Sequence, residues 1–461
     1  MISKAKLNKL LNLCITNGSD FAEIFLEDTK SNNYELVGGV IENITTNYVY
    51  GIGIRVIKGE IEYYGYTNEI SYDNLVRLVE KLTAGLSKNE NTVKITLKTE
   101  KNKNAHKVLI SPERKPNLEK ISYMKKVYES CKNHSEEITQ VVINLFDKQQ
   151  DVIIANTNGK YVKDKRVLVR LYCSAVASNK DTMQTAVESI AGACGYELFD
   201  KKDLESFGIK VATSAITILH ADEIKGGTMD VVIHNAFGGV LLHEACVHSL
   251  EAELVAKNAS VFSNMLGQKI ASDIVTAVDD ATIVNEWGSS NIDDEGVKTK
   301  RNVLIENGVL KSYLVDYKNS AKMKHEITGS GRRASYKYLP TARMSNTFLM
   351  PGKSTFEEII ANTKSGLFAK VMGGGSVDPS TGEFNFSVSE GYIIENGKIT
   401  KPVRGATLVG SGKDVLMNID MIADNLLFGY GICGASSGNI PVCVGQPTIR
   451  VKNMTVGGRG S

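Results

Sequence analysis

The spacing of apolar residues divides the first half of the chain into helices and strands. Apolar side chains recur at helical intervals in four stretches, namely 2–17, 71–86, 117–133 and 204–222. Runs rich in β-branched and aromatic residues, bounded by Gly and Asn, predict strands between these helices. The predicted strands cover 21–26, 34–41, 48–57 and 61–66, and then 138–175 with a turn at 157–159.

The second half of the chain has a different pattern. From residue 229 onward glycine is frequent, and long helical periods nearly vanish after 256. Asn-Gly pairs at 307–308 and 396–397 stand between strand-like runs, and this dipeptide is typical of two-residue hairpin turns. The strand-like runs are short and lie at 303–305, 308–313, 384–388, 392–395 and 442–444.

Together these patterns predict an α+β fold in two domains. Residues 1–222 are expected to form an N-terminal α+β domain with helices and a mixed sheet. Residues 223–461 are expected to form a β-rich domain of mostly antiparallel, twisted sheet, with the boundary near 222–228. The Lys-rich segment 87–117 contains three Glu and no aromatic residue. It is interpreted as a solvated connector, with a nucleic-acid-binding patch as the weaker alternative.

Composition narrows the functional classes. The 461 residues include 54 Lys and Arg against 52 Asp and Glu, and 42% are hydrophobic. These values are typical of globular domains and exclude a disordered, coiled-coil or collagen-like chain. A net charge of +2 gives no reason to expect nucleic acid as a partner. No apolar run approaches the roughly 18 residues of a membrane span, so no membrane partner is expected either. The N-terminal apolar residues follow helical spacing rather than the block of a signal peptide.

Cysteine usage bears on the cellular compartment. The chain has seven cysteines, an odd number, and they are scattered without a Cys-x-x-Cys pair. This distribution favours free thiols in a reducing cytoplasm over a disulfide framework. We therefore expect a cytoplasmic protein.

The segment 229–254 carries the most informative motif, His243-Glu244-x-x-x-His248. A strand-like run passes through two glycines into a helical run that contains these residues. Neutral imidazoles bind Zn²⁺, and a glutamate beside the metal can accept a proton from water. The two histidines are five residues apart, so their side chains would diverge by about 140° on a regular helix. A shared metal therefore requires a π-type widening or a helix that ends near Val247. The alternative is a pair of buried structural histidines.

A catalytic zinc site needs a third protein ligand and an open position. Several side chains in the chain can supply that ligand, and composition does not choose among them. The candidates are Cys246, Cys433, Cys443, His234, His325 and many carboxylates. Other motifs are weaker: the glycines at 373–375 lack the Lys-Ser/Thr of a phosphate-binding loop, and the acidic segment 291–296 lacks calcium-ligand spacing. The basic turn 329–333 has two interpretations, contact with a substrate carboxylate or a surface salt bridge.

The segment from His243 to Glu253 resembles the TldD/PmbA family of metalloproteases. The resemblance extends over nearly the whole chain in collinear blocks. These blocks are Gly51–Arg55 with Gly59, then 291–296, 329–333, 373–378, 402–407, 445–448 and 455–458. TldD-type members carry the His-Glu-x-x-x-His motif, whereas the TldE (PmbA) paralogue lacks it. The resemblance therefore places this chain on the metal-bearing, TldD-like side.

The family resemblance also implies a ligand set and a reaction. The third ligand of the family is a cysteine in a Gly-x-Cys-Gly context, which corresponds to Cys433 here. The resemblance implies that His243, His248 and Cys433 hold one Zn²⁺ ion and that Glu244 is the general base. The family cleaves unfolded or leader peptides, bound as an added strand, inside a cavity formed with a TldE/PmbA-like partner chain. A heterodimer of this kind, or a homodimer, is thus expected.

The chain departs from the family motif around His248. Val247, Ser249, Ala252 and Glu253 stand where the family usually has three glycines and an aspartate. These departures leave an alternative, a non-catalytic peptide-binding or scaffold subunit that keeps a structural metal. A third, less favoured hypothesis is a metal-dependent hydrolase of small amides. The natural substrate and the cleavage rule do not follow from the sequence.

Overall fold

The computed structural model describes residues 2–89 and 94–459. The elements of the N-terminal half, in chain order within each class, are the helices α1 Lys4–Thr16, α2 Tyr72–Thr83, α3 Asn117–Lys132, α4 Glu197–Asp200 and α5 Leu204–Leu219, and the strands β1 Phe21–Val37, β2 Val40–Lys58, β3 Ile61–Thr67, β4 Lys98–Glu100, β5 Ile138–Asn156, β6 Lys160–Ser178 and β7 Met183–Gly192.

The elements of the C-terminal half are shorter. They are the strands β8 Asp222–Glu223, β9 Gly227–Ile233, β10 Ala277–Asp280, β11 Arg301–Glu306, β12 Val309–Leu310, β13 Gly331–Arg332, β14 Thr341–Ala342, β15 Asn346–Leu349, β16 Ser365–Val377, β17 Glu383–Glu395, β18 Lys398–Arg404, β19 Ala406–Ser411, β20 Ile419–Ile422, β21 Leu427–Ala435, β22 Gly438–Gln446 and β23 Ile449–Gly457, and the helices α6 Val240–Ala245, α7 Ala252–Val255, α8 Tyr317–Met323, α9 Phe356–Ala361 and α10 Gly412–Met417.

The N-terminal half is built on a seven-stranded mixed sheet within the described residues. Its strand order is β3-β2-β1-β5-β6-β4, with β7 paired to β6. All pairs are antiparallel except that of β4 with β6. Helices α1 and α2 bury apolar faces in one core, and α3 and α5 do so in a second core. The predicted α+β class and mixed sheet are confirmed.

The four long helices predicted from apolar spacing are all present, with ends that differ by a few residues. The Ser3 side chain accepts from the Lys6 amide at the start of α1, and Asp203 does the same for Ser206 at the start of α5. Such caps satisfy amide groups that have no partner within the helix. The predicted helix 204–222 extends too far, because Asp222 already belongs to β8, which pairs with β18.

Strand β1 corrects part of the prediction. The sequence predicted separate strands at 21–26 and 34–41, but one strand runs through the polar stretch 27–33 between them. The polar side chains there have partners in the folded chain. Glu27, for example, accepts a hydrogen bond from Gln150 Nε2 at 2.8 Å. A polar stretch can therefore stay extended where tertiary contacts satisfy its side chains.

Tight turns with left-handed residues separate the long strands. Asn307 and Gly308 have φ values of 49° and 79° between β11 and β12, and Asn396 and Gly397 have 50° and 72° between β17 and β18. Both predicted Asn-Gly hairpins are confirmed, as a type I′ turn requires positive φ at both positions. The predicted runs 384–388 and 392–395 belong to a single strand, β17.

Two sheets enclose the C-terminal core. Within the described residues, an eight-stranded sheet has the order β16-β9-β23-β19-β17-β18-β8, with β20 on β23. A six-stranded sheet has the order β12-β11-β10-β15-β22-β21. Most pairs are antiparallel, as predicted. Both sheets contribute to one apolar core, which also includes Leu241, Leu242 and Cys246 of the α6 segment. The α6 segment is thereby held deep in the domain.

The Lys-rich segment contributes to the sheet as well as connecting elements. Residues 90–93 of the predicted connector lie outside the described residues. Farther along, β4 pairs with β6 in parallel, and the Ala105 amide donates to Asn291 in the C-terminal half. Lys98, Lys101 and Lys103 are exposed. The solvated character predicted for these lysines is thus present on a segment that also forms an edge strand.

Ion pairs join the two halves close to the predicted acidic and basic motifs. The acidic loop 291–296 and the basic turn 329–333 supply one charged group of each of three pairs. The pairs are Arg55–Glu295 and Arg166–Asp294, each at 2.5 Å, and Arg333–Glu23. Arg333 is therefore part of a buried pair, which corrects the surface salt bridge considered from sequence. In the described part of the chain, no helix has both the length and the apolar character required to cross a bilayer.

Candidate metal centre

Helix α6 ends in the middle of the histidine motif. A 3₁₀ turn at Phe237–Gly239 leads from β9 into the helix, which carries His243 and Glu244. A Cβ at Gly239 would lie 2.6 Å from the backbone of Gly445, so only glycine allows this approach. The helix ends at Ala245, because Cys246 has φ −127° and ψ −59°, outside the helical region. Of the two geometries the sequence allowed, the helix end is the one observed.

The break at Cys246 changes where His248 points. His248 lies in a second 3₁₀ turn, Val247–Leu250, rather than continuing α6. The two imidazole rings consequently lie with centroids 4.9 Å apart and planes at 85°. On an unbroken helix they would diverge. The local irregularity therefore brings together side chains that a regular spacing would separate.

Cys433 reaches the same point from a distant part of the chain. It lies on β21, and its Sγ is 3.4 Å from His243 Nε2 and 3.3 Å from His248 Nε2. A thiol has one proton and can donate to only one of these nitrogens. Ligand atoms on a tetrahedral zinc are about 3.5 Å apart, given Zn–N near 2.1 Å and Zn–S near 2.3 Å. The two sulfur–nitrogen distances are thus close to those between ligands of one tetrahedral zinc ion.

The cluster contains three possible metal ligands. In the described part of the chain, the donor atoms of His243, His248 and Cys433 all lie within 4.8 Å of one another. Glu244 lies beside the cluster, with Oε2 3.6 Å from His248 Nε2. The Glu244 side chain is 27% exposed, whereas His243 is 2% exposed. The carboxylate therefore lies on the accessible side of the cluster.

Different forces hold the two histidines. Burial, with the nearby charges of His248 and Arg343, keeps the pKa of His243 well below its usual value, which favours the neutral imidazole. Its Nδ1 atom has no hydrogen-bond partner among the described residues, so packing within α6 orients this ring. His248 Nδ1 lies 3.0 Å from Glu251 Oε2. Burial would lower the pKa of His248, but Glu251 and the hydrogen bond to Cys433 raise it well above its usual value.

Glu244 has an environment suited to proton transfer. Burial raises the pKa of its carboxyl above the usual value, although the charge of His248 opposes this shift. A carboxylate with a raised pKa is a better proton acceptor at neutral pH than a fully solvated one.

Two supporting residues were not found from sequence. Arg343 donates to the Cys433 carbonyl at 2.8 Å, and its Nε lies 3.8 Å from Glu251. Arg343 thus contacts both the strand of Cys433 and the carboxylate behind His248. Glu251 follows His248 by three residues, a spacing that could have indicated a contact within one turn. Arg343 had no such local signal.

The other ligand candidates lie elsewhere. Cys246 packs in the apolar core, and Cys443 Sγ is 3.6 Å from Glu286 in a separate cluster. His234 bonds to Thr448, and His325 lies 3.3 Å from Ser312 Oγ. All seven cysteines are buried free thiols. Trp287 is also buried, and its Nε1 donates to the Gly431 carbonyl at 2.9 Å, two residues before Cys433.

The departures from the family motif fit without strain. Val247, Ser249 and Ala252 are completely buried, and none has a positive φ. The Ser249 hydroxyl donates to the Pro379 carbonyl at 3.2 Å. Glu253 accepts from Lys257 at 3.3 Å on the surface. This backbone therefore needs no glycine at these positions.

The sequence of this chain is similar to known proteins over nearly its whole length. Profiles of the PmbA/TldA metallopeptidase family match domain 1 at residues 22–85, the central domain at 110–219 and the C-terminal domain at 226–458. A metalloprotease TldD homolog from Buchnera aphidicola is 35% identical over 97% of this chain and 95% of its own length.

Two further relatives extend the comparison. A protein from Saccharolobus solfataricus named zinc metalloprotease TldD homolog is 31% identical over 61% of this chain and 63% of its own length. The crystal structure of TldE from Thermococcus kodakarensis superposes with a TM-score of 0.75 at 18% identity, covering 98% of this chain and 99% of that one, and shows the same fold. The matched domains and the full-length identity show that the chain belongs to the PmbA/TldD family of metallopeptidases.

Proposed function

We propose that this chain is a zinc-dependent peptidase that cleaves unfolded or leader peptides bound in extended form. His243, His248 and Cys433 hold one zinc ion, and Glu244 is the general base. The observation that carries the proposal is the position of Cys433 Sγ, 3.3–3.4 Å from the Nε2 atoms of both histidines, with Glu244 beside this group. Three protein ligands would leave the fourth position of a tetrahedral zinc ion free. An open position is what distinguishes catalytic from structural zinc sites.

The donor set favours zinc. Two imidazoles with one thiolate suit Zn²⁺ better than Mg²⁺, Ca²⁺ or Mn²⁺, which prefer oxygen ligands. The name of the Saccharolobus relative supports the same choice. When bound, zinc supplies a Lewis acid for the peptide carbonyl and lowers the pKa of water.

The residues around the site have separate roles in this proposal. Glu244 accepts the proton of the attacking water at its partly exposed carboxylate and returns it to the leaving amine. Glu251 accepts from His248 Nδ1 and so directs Nε2 toward the metal. Arg343 holds Glu251 from the other side.

Strand β21 offers a place for an extended peptide. It is the terminal strand of the six-stranded sheet and carries Cys433. Apart from an isolated bridge between Phe428 and Ala236, its outer edge has no strand partner in the described part of the chain. A peptide that adds a strand there gains main-chain hydrogen bonds with little dependence on its sequence. We propose that the partner chain is a TldE/PmbA-like protein, with a second copy of this chain as the other possibility.

Metal removal tests the proposed activity. Chelation of the purified chain, mixed with a candidate TldE/PmbA-like chain, is expected to abolish cleavage of an unfolded peptide. One equivalent of Zn²⁺ is expected to restore cleavage, because the ion is required for the chemistry. Peptide cleavage is measured by mass spectrometry alongside metal content. Cleavage that persists in metal-free protein would contradict a metal-dependent mechanism. A fully loaded chain that cleaves no peptide with either partner would support the non-catalytic subunit instead.

Glu251→Ala is expected to weaken zinc binding about 10- to 100-fold, since loss of a carboxylate that orients a ligand histidine typically has this effect. Glu251→Gln keeps a hydrogen-bond acceptor and is expected to lose less zinc affinity than Glu251→Ala. Affinity is measured by competition with a chromophoric chelator. Glu253→Ala is the matched control, because Glu253 is nearby but contacts Lys257 and Ser436 at the surface rather than either histidine. Equal zinc affinity in Glu251→Ala and the control would show that Glu251 does not position His248.

A further inference from the structure

A cavity lies between the two halves of the chain, and none of the three proposed metal ligands lines it. Its walls come from β5, β6, the 287–294 loop, the basic turn after β13 and the start of β22. Its volume of 80 Å³ accommodates several water molecules, since one water needs about 10–15 Å³. The exposed residues Lys165 and Asn439 are among its lining. The cavity is therefore open to solutes.

The cavity wall contains five cationic side chains, two of which lack a carboxylate partner. Arg166 pairs with Asp294, Arg333 pairs with Glu23, and the exposed Lys165 lies 3.8 Å from Asp151. The other two, Lys148 and Arg332, form no ion pair with a carboxylate in the part of the chain that the structure describes.

Lys148 and Arg332 form no ion pair within 4.0 Å among the described residues, although the charges of Glu27 and Asp294 act on Lys148 and those of Asp294 and Asp279 act on Arg332. Arg332 donates to the backbone carbonyls of Met344 and Pro441, which carry no net charge. Lys148 makes no hydrogen bond or ion pair with any residue in the ranges 2–89 and 94–459. Both side chains are partly buried. Cations held out of bulk water without a partner are costly, and an anion in the cavity would offset this cost.

The carboxylates in the wall are already engaged. Asp294 pairs with Arg166 and accepts from the Arg333 amide at 2.7 Å. Asp293 accepts from the amides of Val297 and Gly331 at 2.8 and 3.0 Å. Neither forms an ion pair with Lys148 or Arg332, so both cations keep donor groups that an anion in the cavity can bind.

Burial is the main influence on the protonation of these two cations. Burial lowers the pKa of Lys148, Glu27 and Asp294 oppose this shift, and the charges of Arg166 and Arg332 add to it. Burial likewise lowers the pKa of Arg332 to about 10; Asp294 and Asp279 oppose this shift, and Arg343 and Arg166 add to it. Like charges in a partly dehydrated site lower each other's pKa in this way.

We propose that this cavity is a binding site for a small oxyanion, carboxylate or phosphate, held by Lys148 and Arg332. Both groups form charge-assisted hydrogen bonds with oxyanions. Two of the five N–H groups of Arg332 bond to the Met344 and Pro441 carbonyls, and the other three are left for a ligand. The site is close to the metal-ligand cluster along the β21–β22 hairpin, because Ile440 in the cavity wall is paired with Cys433. Its ligand is either a free inorganic anion or the terminal carboxylate of a peptide.

Calorimetric titration of the full-length chain tests the site and separates the two sources. Three probes are compared at constant ionic strength in chloride: inorganic phosphate, alanyl-alanine and alanyl-alanine amide. We expect one site per chain for phosphate or for the free-acid dipeptide, and none for the amide. Binding of phosphate but not of alanyl-alanine would identify a site for an inorganic anion. Binding of alanyl-alanine but not of its amide would identify a site for a peptide carboxylate. Absence of binding by both phosphate and the free acid would overturn the proposal.

Variants locate the binding. Lys148→Gln is expected to lower the affinity for the anion about tenfold or more, which is the effect of losing one charge-assisted hydrogen bond. Lys163→Gln, an exposed lysine on β6 outside the cavity, is the matched control and is expected to bind as wild type. Arg332→Gln is a second test if its melting temperature is unchanged. Equal affinity in Lys148→Gln and wild type would overturn the assignment. Binding is repeated after zinc removal, and loss of binding there would place the anion on the metal instead.

Discussion

Replacement of Glu244 by glutamine is expected to lower kcat for peptide cleavage by about 10²–10⁴-fold, the usual contribution of a general base. Glutamine has nearly the same shape but accepts no proton at neutral pH. The Glu244 carboxylate lies 3.6 Å from His248 Nε2 without belonging to the three-donor cluster. The substitution is therefore expected to leave zinc content unchanged. Initial rates at saturating peptide, with metal content measured on the same samples, give the result.

The control for Glu244 lies in the same segment. Glu253→Gln removes a charge of the same sign from a side chain that is 42% exposed and contacts Lys257. It is expected to retain wild-type kcat. Turnover in Glu244→Gln within threefold of this control would refute the base role. Loss of zinc together with activity would instead identify Glu244 as a metal ligand.

The second large effect is expected for Cys433→Ser, which should reduce zinc from about one ion per chain to a small fraction. Even outer-shell substitutions weaken zinc binding about 10- to 100-fold, so loss of a ligand should exceed that. Serine is close in size to cysteine, but its hydroxyl is a poor zinc ligand at neutral pH. Cys433 Sγ is the donor that lies within 3.4 Å of both histidines. Metal is measured by mass spectrometry after dialysis against a weak chelator.

A neighbouring thiol supplies the matched control for Cys433. Cys443 lies on β22, is fully buried and has its Sγ near Glu286 rather than the histidines. Cys443→Ser is expected to keep its zinc, which separates loss of a ligand from general damage to the hairpin. Thermal unfolding of both variants identifies any misfolded sample. Wild-type zinc content in a folded Cys433→Ser chain would move the third ligand to another residue.

Much of the fold was available from local sequence patterns. Amphipathic spacing determined the four long helices, because one face of each packs on a sheet while the other faces solvent. The Asn-Gly hairpins followed from the positive φ that these residues tolerate. The course of β1 did not follow, because the partner that keeps Glu27 extended lies on another strand, β5.

The candidate site divides in the same way. The sequence by itself determined the motif His243-Glu244-x-x-x-His248 and the need for an irregular helix, since the chemistry of these residue types and the helical period are local properties. Family resemblance added Cys433, which is 190 residues from His243. Only the tertiary structure decided where the helix ends and that Glu251 contacts His248 and Arg343 contacts Cys433. The tertiary structure also brings Lys148 and Arg332 to the wall of one cavity. The physical reason is that burial and charge pairing depend on contacts between elements far apart in the chain, which no local spacing records.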